Sequence, residues 1–181
     1  MKRFILITPI IVFSIIIAVL TVMTLQTKEG RNPSLVPSAL LGKQAPKIEL
    51  PVVTSNIPGG FKGSDLVGRV SMVNIFSSWC VPCLTEHPQI SWLAANALPI
   101  YAINYRDNAS DASSWLKKHG NPYVAVGFDP EGRASLEWGV SGVPETFIIN
   151  ARGIITYKHV GPITKKILTE TILPKIQEAK R

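Results

Sequence analysis

The segment 70–95 limits what this chain can fold into more than any other. Val70 to Phe76 is an almost unbroken apolar run of the length of a buried strand, and Val81 to about Ala95 reads as a helix. Between them stands Ser78-Trp79-Cys80-Val81-Pro82-Cys83, which holds both of the chain's 2 cysteines. Residues three apart on a helix share a face. This spacing brings the two Cα atoms to about 5–6 Å, a separation that a disulfide accepts. The first sulfur falls at the helix N-terminus, where unpaired N–H groups and the helix dipole favour a thiolate. Cysteines in such motifs commonly have pKa values of about 3.5–7.5, against about 8.5 for a free thiol. Pro82 suits the first turn because it has no N–H to lose there. The pattern predicts dithiol–disulfide exchange, with Cys80 as the more exposed nucleophile and Cys83 as the resolving sulfur.

Other chemistries fit less well. A zinc site takes about four ligands, but the chain has no second CxxC and its 3 histidines, His87, His119 and His159, are scattered. A purely structural disulfide remains open, although so small a loop constrains little of the unfolded chain. The formal net charge is +7. No basic stripe is interleaved with aromatics, so nucleic acid is not an expected partner. The reading calls for no cofactor and no metal.

A length of 181 residues suits one domain plus an appendage. Lys2 and Arg3 precede an uncharged stretch from Phe4 to Leu25. As a helix it would be about 33 Å long, enough for a bilayer core of about 30 Å. Cleaved signal peptides have shorter apolar regions that end in small residues, whereas this one ends in Met23-Thr24-Leu25-Gln26. The expectation is an uncleaved membrane anchor over 1–26, with its N-terminus in the cytoplasm by the positive-inside rule. A polar tether follows over 27–40, with Pro33 and Pro37, and then one domain over 41–181.

Within that domain the chain reads in order. A first extended segment covers Ile48 to Val53, and a single helical turn lies near Ser64 to Gly68. After Val70 to Phe76 comes the helix of the motif, expected to bend or break at Pro88. Pro99 to Tyr105 is the next strand, at the spacing of a parallel crossover. A helix over Ser110 to His119 follows, capped by Ser110 and stopped by Gly120. A strand over Tyr123 to Phe128 leads to a short helix over Arg133 to Trp138. Strands over Glu145 to Ile149 and Ile154 to Val160 form a hairpin across Asn150-Ala151-Arg152-Gly153. A last helix starts at Thr164 and is interrupted near Pro174. The predicted class is α/β, a thioredoxin-like fold with a mixed central sheet flanked by helices and an inserted helix–strand unit, plus one N-terminal transmembrane helix.

Three stretches beyond the CxxC carry a closer likeness: Glu86-His87, Gly142-Val143-Pro144-Glu145-Thr146-Phe147, and Gly153 to Gly161. With them, the chain resembles the CcmG/DsbE-type thiol:disulfide interchange proteins of cytochrome c biogenesis, from about Leu41 to Thr164 and in the anchor. The resemblance implies a reductase held in the bacterial inner membrane with its catalytic domain in the periplasm. Its partners would be apocytochrome c, or a haem-lyase-side thiol protein carrying its cysteines, and an inner-membrane thiol–disulfide electron donor. The resemblance also implies a cis Pro144 packed against the sulfurs, leaving the Val143 backbone free to pair with a substrate. Glu86, one turn past Cys83, reads as a buried proton acceptor or as a solvated helix residue. Glu145 reads as added acidity in the docking groove or as a plain strand-end residue. Trp79 reads as packing over the motif or as a core aromatic, and His87 and His159 as surface or core residues. Ser141 and Phe76 depart from the family pattern, which has tyrosine and tryptophan there. Rival functions are a broader periplasmic reductase, an oxidase, or, from another class, a copper-binding assembly factor using Cys80, Cys83 and a histidine.

Overall fold

The structure, a computed structural model, describes residues 12–23 and 39–181. The chain divides into two compact units, Met1–Val36 and Pro37–Arg181. In the first, residues 12–23 form a helix, α1. Among the described residues no helix is long and apolar enough to cross a membrane. The span expected over Phe4–Leu25 reaches beyond the described residues at both ends, and nearly all of the expected tether lies outside them.

The second unit contains β1 (Glu49–Leu50), β2 (Phe61–Lys62), β3 (Ser71–Phe76), α2 (Val81–Ala95) and β4 (Ile100–Tyr105). Next come α3 (Ala109–His119), β5 (Ala125–Asp129), α4 (Arg133–Glu137), β6 (Glu145–Ile149) and β7 (Ile155–Val160). A closing helical segment runs through α5 (Lys165–Ile167), a π-turn (Leu168–Ile172) and α6 (Leu173–Ala179). Five strands form one sheet in the order β5-β4-β3-β6-β7. β4 lies parallel to β3 and β5, while β6 lies antiparallel to β3 and β7. This is the expected mixed sheet. β1 and β2 form a separate antiparallel pair.

β3 is the middle strand, and all six of its residues are buried. Successive side chains on a strand point to opposite faces. Met72 and Phe76 therefore join one core with Ile90, Trp115, Tyr123, Ile172 and both cysteines. Val73 and Ile75 join the other, with Phe61, Leu66, Trp138 and Phe147. Two covered faces explain the almost unbroken apolar run that the sequence shows at β3.

Three local expectations are corrected. The first strand shrinks to Glu49–Leu50, because Pro51 has no N–H for a ladder; beyond it Val52 bridges Gly127 at the edge of β5. α2 is continuous through Pro88. Pro88 and Leu84 are exposed, so the Leu84 carbonyl that lacks its helical donor faces water. α3 starts one residue early and is flanked by Asn108 rather than by Ser110. The interruption near Pro174 is a π-turn in which the Leu173 N–H donates to the Leu168 carbonyl. Pro174 cannot donate to Glu170, and the wider turn absorbs the gap. At the opposite edge of the sheet the chain entering the domain pairs with β7. Gly42 N–H donates to the Ile155 carbonyl at 2.8 Å, and Ile155 N–H donates to the Lys43 carbonyl at 2.9 Å.

Candidate active site

The redox motif begins where β3 ends. Cys80 is the N-cap of α2, and it is joined to Cys83 with the two Cα atoms 5.3 Å apart. The Cys83 N–H donates to the Cys80 sulfur at 3.1 Å. This is one of the otherwise unpaired donors of a helix start, and it favours negative charge on that sulfur. Exposure does not separate the two cysteines as expected, at 3% for Cys80 and 2% for Cys83. The asymmetry between them lies in the hydrogen bond. Trp79 is 57% exposed and is no core residue. Its indole N–H donates to the Arg106 carbonyl at 3.0 Å, which pins the ring beside the motif. Val81 and Leu84 extend the exposed apolar surface.

A residue not foreseen from the sequence holds this loop in place. Asp107 is buried and accepts from the Ser78 N–H at 2.6 Å, the Ser78 hydroxyl at 2.7 Å and the Asn104 amide at 2.8 Å. It also accepts from the Asn108 N–H at 2.8 Å. The Ser77 hydroxyl donates to the Tyr105 carbonyl. The loop after β4 thus clamps the loop after β3, because parallel neighbours end at the same edge of the sheet.

The Val143–Pro144 peptide is cis. Pro144 is buried, and Val143 packs against the core that includes both cysteines. Among the described residues nothing hydrogen-bonds the backbone N–H or carbonyl of Val143. Glu145 is 0% exposed, so it adds no acidity to a surface groove. It forms an ion pair with Lys158 at 2.9 Å, and the Lys158 ammonium also donates to the Gly139 carbonyl at 2.8 Å. The Ser141 N–H donates to Glu145 at 2.9 Å, and the Ser141 hydroxyl donates to the same oxygen. Glu145 therefore braces the 139–143 loop from beneath. Ser141 supplies two of the donors that this buried carboxylate needs.

Glu86 occupies the other face of the sheet and is 1% exposed. Its Oε1 accepts from the Asn74 amide at 2.8 Å, and its Oε2 accepts from the Ile163 N–H at 2.9 Å. Burial pushes this carboxyl up from 4.5 to about 7, against the downward pull of the Ile163 and Asn74 hydrogen bonds. Asn74 also donates to the Thr146 hydroxyl oxygen at 3.1 Å and accepts from the Tyr123 hydroxyl at 2.9 Å. Burial, and then the Glu86 charge, hold the Tyr123 hydroxyl well above its ordinary pKa.

The Redoxin family pattern matches residues 40–173. The thiol:disulfide interchange protein DsbE of Escherichia coli (strain K12) is 38% identical over 176 residues, which cover 96% of this chain and 94% of that protein. This chain belongs to the DsbE-type thiol:disulfide interchange proteins. The interchange protein CycY of Rhizobium leguminosarum bv. viciae is likewise 38% identical, over 94% of this chain and 92% of its own. A DsbE crystal structure from Chlorobium tepidum superposes with a TM-score of 0.67 at 29% identity, covering 77% of this chain and 96% of that one. The fold is thioredoxin-like, and the chain is a thiol–disulfide oxidoreductase that works through its CxxC pair.

As a DsbE-type protein the chain brings Cys80, Cys83, Trp79, Glu86, Val143, Pro144 and Glu145 to one end of the sheet or to its two faces just beneath. His87 and His159 are core residues, and burial pushes both below the ordinary histidine pKa. His87 faces the His119 carbonyl at 3.1 Å and stacks edge-on to Trp115. Phe76 stacks on Tyr123 with ring centroids 5.3 Å apart. Asp107 and Lys158 are the residues that the sequence reading missed. Lys158 carried a weak signal: a charge inside a strand-length run needs a buried partner if that strand is covered.

Proposed function

We propose that this protein is a periplasmic reductant in cytochrome c maturation, held at the inner membrane by the segment 4–25. Its targets are the disulfides of apocytochrome c haem-attachment cysteines, or of a thiol partner that carries them. The Cys80 thiolate attacks one sulfur of the target disulfide and expels the other as a thiolate. A mixed disulfide forms, and Cys83 then attacks the Cys80 sulfur. The second target sulfur leaves as a thiolate, and Cys80–Cys83 closes as the disulfide. Two electrons pass to the target, and an inner-membrane dithiol donor returns them. Glu86 accepts the proton that Cys83 must lose.

The observation that supports this reading is the Cys83 N–H aimed at the Cys80 sulfur, a donor placed to stabilise a thiolate there once the disulfide is reduced. The open Val143 backbone beside it offers a substrate segment one donor and one acceptor. The test is to trap the intermediate with Cys83→Ser in cells making c-type cytochromes. A disulfide-linked species between Cys80 and an apocytochrome or its thiol carrier is the expected result. Capture only of unrelated periplasmic proteins would favour the broader reductase. The same cells, fractionated, report the anchor: recovery of the chain in the soluble periplasm with a start near Gln26 would overturn it.

A further inference from the structure

Asn74 is a polar side chain at the centre of a buried strand, and each of its three side-chain partners can reverse direction. A carboxyl group accepts when ionised and donates when protonated, and the hydroxyls of Thr146 and Tyr123 can do either. In the arrangement seen, both Asn74 N–H groups are used, on Glu86 and Thr146, and its oxygen is used by Tyr123. Among the described residues the two side-chain oxygens of Glu86 face donors only, the Asn74 amide and the Ile163 N–H. A proton placed on Glu86 therefore finds no acceptor. Turning the Asn74 amide by about half a turn supplies one, since the oxygen and nitrogen of an amide are nearly the same size.

We propose that Asn74 is a positioning residue whose side-chain amide turns over when Glu86 takes up a proton, reversing its hydrogen bonds to Glu86, Thr146 and Tyr123. In the turned state Glu86 and Thr146 donate to the Asn74 oxygen, and one Asn74 N–H donates to the Tyr123 oxygen. The other N–H then lacks a partner, as does the Tyr123 hydroxyl hydrogen, whose acceptor was the Asn74 oxygen. The state seen here is the better satisfied, and it favours the ionised carboxylate. The amide thus accommodates a proton arriving from the cysteines and favours its later release. This inference rests on Glu86 as the proton acceptor of the proposed cycle. Among the described residues, the other titratable groups on this face of the sheet include Tyr123, the cysteine pair, Tyr157 with the Lys175 ammonium over its ring, and His159, which lies opposite Thr146 in the β6–β7 register. His87, next to Glu86 on α2, is engaged with the His119 carbonyl.

The experiment is a pH titration by NMR of the full chain in detergent micelles, with labelled glutamate carboxyl carbons and labelled asparagine amides. Glu86→Gln identifies the Glu86 carbon. The expected result is that the Asn74 amide signals shift with the same midpoint as the Glu86 carbon and become pH-independent in Glu86→Gln. Asn74 signals that stay fixed while Glu86 titrates would overturn the proposal. Asn74→Leu removes a donor to the carboxylate and should lower the Glu86 acid dissociation constant about tenfold; an unchanged midpoint would overturn it as well. The wild-type titration stands even if that variant fails to fold. The proton-acceptor role is read separately: Glu86→Gln reducing disulfides as fast as the parent would end that role without touching the NMR result.

Discussion

Glu86 and Glu145 are both sealed from water, yet they are satisfied by opposite means on opposite faces of one sheet. Glu145 has a cation, Lys158, at 2.9 Å and two donors from Ser141. Among the described residues Glu86 has only the neutral donors of Asn74 and Ile163. A buried carboxylate with a cation is a fixed brace, because protonating it would leave the lysine unpaired. A buried carboxylate without one is held only weakly in its ionised form, so it can exchange a proton near neutral pH. One position holds a loop still, and the other is suited to turnover.

The largest expected effect comes from taking the cation away. Lys158→Met leaves Glu145 buried without its cation and should cost about 3–5 kcal/mol of stability in urea unfolding at neutral pH. Adding Glu145→Gln should recover most of that loss. A cost under about 1 kcal/mol for the single variant would mean that the pair is not desolvated, and the contrast with Glu86 would collapse.

Next in size is a pH dependence. Glu86 holds its proton more tightly folded than unfolded, with its carboxyl raised from 4.5 to about 7. Unfolding therefore releases a proton in that window. The contribution is fully present below about 4.5 and is lost as pH rises through about 7, by up to about 3 kcal/mol. Glu86→Gln lacks this loss. His87 and His159, both lowered by burial, slope the other way at acid pH, so the quantity to read is wild type minus variant. A difference that does not change between pH of about 4.5 and about 8 would return Glu86 to the ordinary carboxylates.

The smallest effect is at Ser141. Ser141→Ala removes the hydroxyl donor to Glu145 but keeps the N–H. It should cost about 1 kcal/mol in the same unfolding assay, with reduction rates affected only through the position of the Val143 loop. No change in stability would mean that Lys158 alone suffices for Glu145.

Much of this was legible in the sequence for a physical reason. The strand–CxxC–helix unit is local, and its spacing alone sets the disulfide and the helix start. The hairpin around Asn150 announced itself through its turn residues and the apolar runs on either side. Glu86 could be placed near the motif by helix periodicity, but its burial could not be read, since Asn74 and Ile163 reach it from 12 and 77 residues away. Glu145 misled for a related reason. Its partner Lys158 sits across the hairpin on β7, and no local pattern pairs them. Asp107 was invisible because it looks like any loop aspartate until the ends of β3 and β4 are brought side by side. At Pro88 the sequence predicts a bend or a break, because it does not reveal that this residue lies on the solvent side of α2, where the helix runs on unbroken.

The backbone bonds between 42–45 and the start of β7 have a practical consequence. An uncovered outer strand offers a row of free N–H and carbonyl groups to any other extended chain. Here Gly42, Lys43 and Ala45 occupy that row at Ile155 and Gly153. A shortened protein that keeps Leu40 onward retains this guard. One trimmed to begin at Ile48 would bare the start of β7 at Ile155 and should self-associate as its concentration rises, while its CxxC chemistry, at the other end of a different strand, stays intact.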